Sequence, residues 1–456
     1  MSRTCQQTSR LRVSLVVAAA ALLLPTIAAA QTVAAGAAPT FTKDVAPILQ
    51  RSCVSCHRPG EMAPMSLTTY EDARPWARAI KTRTASHEMP PFNIDKTIGI
   101  TSFKNDPSLT AAEISTIARW VDGGALRGNA SDMPPPRQFA DGGQWQFTPD
   151  IVIKFPAYKV AASGPDLFGN LYADIPITTD RYIQAVQTRA ATPGSRKVLH
   201  HALTYAVDEP DKEVSGDDSA GVDGGDFLIE YASGKNAEWY TGASGVLLAA
   251  GKKAMTSYHL HSVGEETDAY IEVAMKLHPA GYVPKHIRWS KQLAQPTADI
   301  DIPGGTVARL DGYVVMHKNA RILSFQPHMH IRGKRQCLEL IYPTGGASAR
   351  TEMISCSNFS YNWHLNYTYS DDAAPLIPAG TILHVITWHD NSQANRANPD
   401  PKNWVGDGQR TIDEMGFAWI GWYDLTDEDY KAETEARKAD RLKKATNTQQ
   451  QQGQQQ

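Results

Sequence analysis

From about Trp145 to Trp422 the chain runs in short segments whose apolar and polar residues alternate, such as "DIVIKF", "AYIEVAMKL" and "TILHVITWH". Successive side chains of a strand point to opposite faces, so this period of two calls for sheets with one face turned to a core. Turn residues break the run at short intervals, which predicts β-sandwich architecture. The stretch is too long for one small sandwich, and "DIDIPGG" around residue 300 is the expected seam between sandwiches over 145–300 and 301–426. Residues 41 to about 135 have a different texture and read as helical. In "LTAAEISTIARWVDGGA", Thr110 and Glu113 form a capping box, Ile114, Ile117 and Val121 mark one face, and Gly123 and Gly124 stop the helix. "MPPPRQFADGGQ" then reads as a linker. The expected fold is therefore multidomain: an N-terminal all-α domain over 40–135, followed by two all-β sandwich domains. Residues 427–456 form a charged run and a Gln-rich tail with no core of their own.

The first 30 residues read as a secretory signal peptide. Arg3, Arg10 and Arg12 precede the apolar run "VSLVVAAAALLLPTIAAA", which closes on the small residues Ala28 and Ala30. Loss of those three arginines takes the formal charge from −3 to −6, too acidic for a nucleic-acid partner. The expectation is a periplasmic or secreted protein with no membrane association after cleavage. Cysteine usage agrees with an oxidising compartment. Cys5 leaves with the signal, Cys53 and Cys56 belong to "CVSCH", and Cys337 and Cys356 remain. If Tyr342 faces Thr351 across the intervening loop, Cys337 falls opposite Cys356 and within reach of a disulfide.

Cys-x-x-Cys-His is the attachment signal for one covalently bound haem c, with the histidine, here His57, as an axial iron ligand. Met62, Met65, His87 and Met89 are candidates for the opposite side. Met62 and Met65 follow the attachment site too closely to reach round the haem edge. Met89, in "SHEMPPF", leaves room for a helix, and Pro90 and Pro91 stiffen its loop. Met89 is the expected ligand and His87 the second choice. The stretch from "FTKDVAPILQRSCVSCHRPG" through "SHEMPPF" to "ARWVDGGA" resembles small bacterial cytochrome c modules. Their Met-Pro-Pro methionine binds iron and is usually followed by tryptophan, a position held here by Phe92.

In "FQPHMHIRGK" the strand period puts Leu323, Phe325, Met329 and Ile331 on one face and Ser324, Gln326, His328 and His330 on the other. Met329 thus points into the core, while His328 and His330 form a two-point metal grip that needs a third ligand from elsewhere. "VLHHALTY" supplies His200 and His201, "SYHLHSVGEETD" supplies His259 and His261, and "QRTIDEMGFAWIGW" places Met415 before an aromatic strand. Adjacent histidines in a regular strand face opposite ways, so His200 and His201 could share a metal if the strand is distorted there or if the two rings use different nitrogens. His364, His384 and His389 could line a cleft, although core or surface histidine is the default for each.

Taken in order, these motifs over residues 145 to 425 resemble the copper type II, ascorbate-dependent monooxygenases, the family of peptidylglycine α-hydroxylating and dopamine β-monooxygenases. The resemblance implies two jelly-roll-like sandwiches and two copper ions. His200, His201 and His259 would hold the copper that passes electrons, with His261 as the alternative third ligand. His328, His330 and Met415 would hold the copper that activates O2. A soft thioether suits Cu(I), and imidazole suits both oxidation states. The implied activity is hydroxylation of a C–H bond in a small-molecule or peptide substrate. The haem would take the place of ascorbate, relaying electrons from a periplasmic donor. The alternative is a non-catalytic haem and copper electron-transfer or copper-binding protein.

Overall fold

The computed structural model describes residues 38–61, 63–104, 106–139, 145–208, 225–232, 235–240, 243–296, 300–343 and 350–453. The expected signal peptide and Met62 lie outside the described residues. No helix among the described residues is long and apolar enough to cross a membrane.

Strands dominate, and the three alternating segments become the strands Ile151–Lys154, Ile271–Leu277 and Thr381–Asp390. A ten-stranded sheet forms the spine. Its path runs through Ile151–Lys154, Ile271–Leu277, Arg181–Ala190, Ser244–Leu248, His286–Leu293, Gly416–Leu425 and Asn319–Met329, ending at Tyr367–Thr368. A four-stranded sheet packs on each end of it. The first contains Leu167–Asp174, Lys253–Leu260, Leu199–Val207 and Gly225–Ala232. The second contains Val307–Met316, Thr381–Asp390, Gly333–Tyr342 and Arg350–Asn358. Ile183, Val186 and Val273 of the spine meet Ala202, Ala206 and Leu228 in the first core. Ala320, Phe325 and Ile420 meet Leu338, Leu340 and Leu383 in the second.

The expected multidomain fold, opening with an all-α domain, is corrected on two counts. First, the helices at the N-terminal end are short: Ala46–Ser52, Tyr70–Ala73, Ala77–Ala85 and Ala111–Asp122. They share a core around Phe41, Leu49, Ile117 and Trp120, but the chain between the last two leaves it and lies on the second sandwich. There Ile94 bridges Ser357, Phe103 bridges Tyr369, and the Ile100 amide donates to the Ile354 carbonyl at 2.9 Å. Phe92 and Ile94 become part of the second apolar core. Pro90, Pro91 and Pro107 forbid helix through this stretch. Gly99, at φ +61°, passes so close to the Ile354 carbonyl that a side chain would collide with it. Second, the sandwiches share the spine. Strand His286–Leu293, which precedes residue 300 in the chain, pairs antiparallel with Gly416–Leu425 and meets Ser244–Leu248 in parallel.

Local signals held where they were strong. Helix Ala111–Asp122 carries the Thr110–Glu113 capping box and stops at Gly123, although Trp120 joins Ile117 as its buried residue. The terminal run forms helix Asp427–Gly453, tied to the sheets by ion pairs such as Arg321–Glu433 at 3.0 Å. Cys337 and Cys356 are directly paired across two strands and joined by a disulfide. The route differs from the expected register: Thr351 faces Ile341, and a bulge between Leu338 and Glu339 restores the cysteine pairing. The bond closes a separation of 19 residues, a loop whose closure restrains the unfolded chain by about 3 kcal/mol. Replacing both cysteines with serine should lower unfolding free energy by about that amount in non-reducing urea titrations.

Candidate metal centres

Two strands, one from each half, carry the histidines toward each other. In Leu199–Val207, Ala202 and Ala206 face the first core, while Leu203, Tyr205 and Val207 pack against Phe417 and Trp419 of the other half. His201 shares the parity of that second face. His200 is an extra residue: the register steps from Leu199 opposite Leu260 to His201 opposite His259, leaving His200 in a bulge. The distortion lets neighbouring histidines converge, with Nδ1 of His200 3.0 Å from Nδ1 of His201. His259 lies across the ladder from His201. Nitrogens of His200, His201 and His259 all lie within 4.8 Å of one another. His261 is not part of that group; its ring centroid is 6.4 Å from that of His200.

The second half supplies the facing strand, Asn319–Met329. Phe325 joins the apolar core, and Met329 is fully buried. Ser324, Gln326 and His328 turn toward the first half, where the Gln326 amide donates to the Glu230 carboxylate. The antiparallel register pairs His328 with Phe417 and Met329 with Gly416, and His330 and Met415 are the next residues beyond that end of the ladder. His201, His328, His330 and Met415 line one small cavity together with Glu230 and Phe417. His330 is oriented by its neighbours. Its Nδ1 donates to the Asp413 carbonyl at 3.0 Å, which leaves Nε2 free, and its backbone amide donates to Glu414 at 2.9 Å. Met415 is steadied by His389, whose Nε2 donates to the Met415 carbonyl at 3.0 Å.

Several further residues meet at the centre without any motif in the sequence to mark them. The His364 ring lies 5.0 Å from that of His328 and 6.0 Å from that of His200. Glu230, His328 and His364 form a second group of ligand atoms within 4.8 Å of one another. A chain of polar contacts crosses between the halves. Asp166 lies 3.0 Å from His259, Thr411 donates to Asp166 at 3.3 Å, and Tyr361 meets Thr411 at 3.0 Å while stacking on His200. Single aspartate, threonine and tyrosine residues in loops carry no motif, so these contacts have no local signal. His384 takes no part; it bridges Asp311 and Glu339 at 2.7 and 2.8 Å.

The donor set fits a soft or borderline metal. Burial, reinforced by neighbouring imidazoles, pushes His200 down to about 2, His364 to about 3 and His330 to about 4, and holds His201 and His328 well below the usual histidine value. His259 is lowered by burial against the pull of Asp166, and His389 falls to about 4. These rings are therefore neutral at pH 7 with free lone pairs. His328 Nδ1 and both nitrogens of His364 have no hydrogen-bond partner among the described residues. The metal-free protein should lose stability as pH falls below about 6.5, because the unfolded chain binds protons that the folded rings refuse. The loss continues toward pH 4 and below. Burial raises Glu230 and lifts Glu414 to about 7, which opposes the trend, but these are two groups against seven. Thermal unfolding of chelator-treated protein at pH 7 and pH 5 measures the effect.

At the other motif, Cys53, Cys56 and His57 share one turn. The amides of Cys56 and His57 donate to the Cys53 carbonyl at 3.1 and 2.9 Å. Both cysteines are free, and burial raises their pKa values, Cys53 to about 12. His57 Nδ1 donates to the Met65 carbonyl at 3.2 Å, leaving Nε2 available for iron. The attachment residues thus fit haem c. Met65 packs on the helical core, while Met89 lies outside that cluster, half-buried beyond helix Ala77–Ala85, and His87 is exposed. The turn touches the β region through Arg196, which donates to the Gly60 carbonyl at 2.7 Å. Arg196 belongs to helix Pro193–Val198, which leads directly into His200 and His201.

No family model matches the chain, and none of the curated proteins compared does. Matches among solved structures include capsid proteins of infectious bursal disease virus. The Gx strain structure is 10% identical over 60% of this chain and 72% of that chain, with a TM-score of 0.18. The VP2 subviral particle is 10% identical over 60% and 71%, with a TM-score of 0.19. Similarity this low bears on neither fold nor function.

Proposed function

We propose that the chain is a periplasmic copper-dependent monooxygenase that hydroxylates a C–H bond of a small organic or peptide substrate with O2. Electrons reach it from a periplasmic donor through haem c carried on Cys53 and Cys56. The observation that carries the reading is the convergence of His200, His201 and His259 within 4.8 Å, facing a cavity lined by His328, His330 and Met415. Bound copper supplies electron storage and dioxygen activation, and bound haem supplies a one-electron relay.

The protein's own residues do the positioning. His200, His201 and His259 would hold the first copper, with Asp166 beside His259 at 3.0 Å. His328, His330 and Met415 would hold the second, and the Asp413 carbonyl fixes the His330 tautomer that leaves Nε2 as the nitrogen to offer a metal. His57 and Met89 are the proposed axial ligands of the haem. The Arg196–Gly60 bond ties the haem turn to the helix that ends at the first copper site, which supports electron entry there. Phe417 and Trp419 wall the cavity with apolar surface and limit water.

The test is turnover of the copper-loaded holoprotein under labelled O2 with an untargeted product screen. One labelled oxygen in a hydroxylated product supports the proposal. The small size of the cavity favours a second reading, a haem and copper electron carrier without turnover. Under that reading oxygen is not consumed in step with product, and the haem of the reduced protein stays reduced when O2 and substrate are added.

A further inference from the structure

We infer that the second centre has a further pair of ligands, Glu230 and His364, which hold a divalent metal ion together with His328. This deepens the proposed function and rests on copper binding at that centre.

Three elements from both halves bring one donor each to the same point. Glu230 comes from strand Gly225–Ala232, His328 from strand Asn319–Met329, and His364 from the loop between strands Arg350–Asn358 and Tyr367–Thr368. Their ligand atoms lie within 4.8 Å of one another, and the residues are only 1%, 6% and 4% exposed. Polar groups buried so deeply are normally hydrogen-bonded. Here His328 Nδ1 and both nitrogens of His364 have no such partner among the described residues.

Glu230 divides its carboxylate in a way that suits a ligand. One oxygen, Oε2, receives the Gln326 amide and lies 3.6 Å from the Lys235 ammonium. The other, Oε1, faces His328 Nδ1 at 3.9 Å, too far for a hydrogen bond and close enough to share an ion. Phe359 meets the His364 ring edge-on at 5.2 Å and backs it on another side.

His328 therefore belongs to two donor sets. With His330 and Met415 it offers a thioether, which favours Cu(I). With Glu230 and His364 it offers two imidazoles and a carboxylate, a harder set that favours Cu(II). A copper ion there would keep His328 and exchange its other ligands with oxidation state. Met415 would serve Cu(I), and Glu230 and His364 would take its place once one electron had left for dioxygen. Re-reduction through the haem would reverse the exchange, with no atom transferred to the protein.

The experiment uses full-length holoprotein and the variants Glu230→Gln, His364→Asn and Met415→Leu. Chelator competition measures Cu(II) and Cu(I) affinity, and electron paramagnetic resonance reads the Cu(II) ligands. Glu230→Gln and His364→Asn should each weaken second-centre Cu(II) binding by about tenfold or more, with Cu(I) affinity nearly unchanged. Met415→Leu should do the reverse. Two variants are used because a buried carboxylate paired with lysine can matter for folding, which thermal unfolding checks. A wild-type spectrum and Cu(II) affinity in folded Glu230→Gln and His364→Asn overturn the inference. Copper uptake at the first centre alone overturns it together with the proposed function. Ligand loss as expected, in a protein without turnover, upholds the inference while the monooxygenase reading falls.

Discussion

Replacing His328 with alanine should abolish product-coupled oxygen consumption and reduce bound copper from two ions to one. His328 belongs to both donor sets of the second centre, so no remaining arrangement of His330, Met415, Glu230 and His364 compensates. Outer-shell partners of a metal ligand are typically worth 10–100-fold, and a shared ligand should cost more than about 100-fold in turnover. The first centre should keep its copper, since His200, His201 and His259 are held by the Leu199–Val207 and Lys253–Leu260 strands. Some stability is lost as well, because the His328 ring stacks on Phe417 at 4.4 Å. Copper analysis with oxygen-electrode traces separates the effects. Two coppers retained, with turnover intact, would refute the assignment.

Replacing Cys53 and Cys56 together with serine should remove the covalent haem band and uncouple the protein from its electron donor. Turnover driven by a protein donor should fall by an order of magnitude or more, while a small reductant that reaches the coppers directly restores it. Restoration is the informative part, since it separates lost electron delivery from lost copper chemistry. The turn carrying the cysteines contacts helix Pro193–Val198 through the Arg196 to Gly60 hydrogen bond, and the β sheets have cores of their own, so the histidine-bearing region should stay folded. Donor-driven turnover that survives in the double variant would rule out the haem as the relay.

Both predictions rest on residues legible in the sequence to different degrees. "CVSCH" is a local signal, readable because the proposed haem would need two thiols and an imidazole in one turn. The His-x-His pair was readable because a strand places residues two apart on one face, and the same rule sent Met329 inward. The helical stretch misled because short helix patterns are local, while the path of residues 92–104 depends on a distant partner strand. Prolines and Gly99 hinted at a break in helix, yet they could not say that the broken segment would lie along Arg350–Asn358.

By itself, the sequence determined what period and spacing can encode: the alternating strands, the Thr110–Glu113 cap, the turn that groups Cys53, Cys56 and His57, and the pairing of Cys337 with Cys356. Tertiary structure alone decided how the donors meet. The bulge that lets His200 and His201 converge arises from the register with strand Lys253–Leu260. Met415 and His330 line the same cavity because Met329 pairs with Gly416 at the end of the ladder just before them. Glu230 and His364 reach His328 only because strands from opposite halves are buried face to face. Contacts between residues so far apart in the chain leave no periodic trace, because each depends on how two sheets pack, which no short window of residues contains.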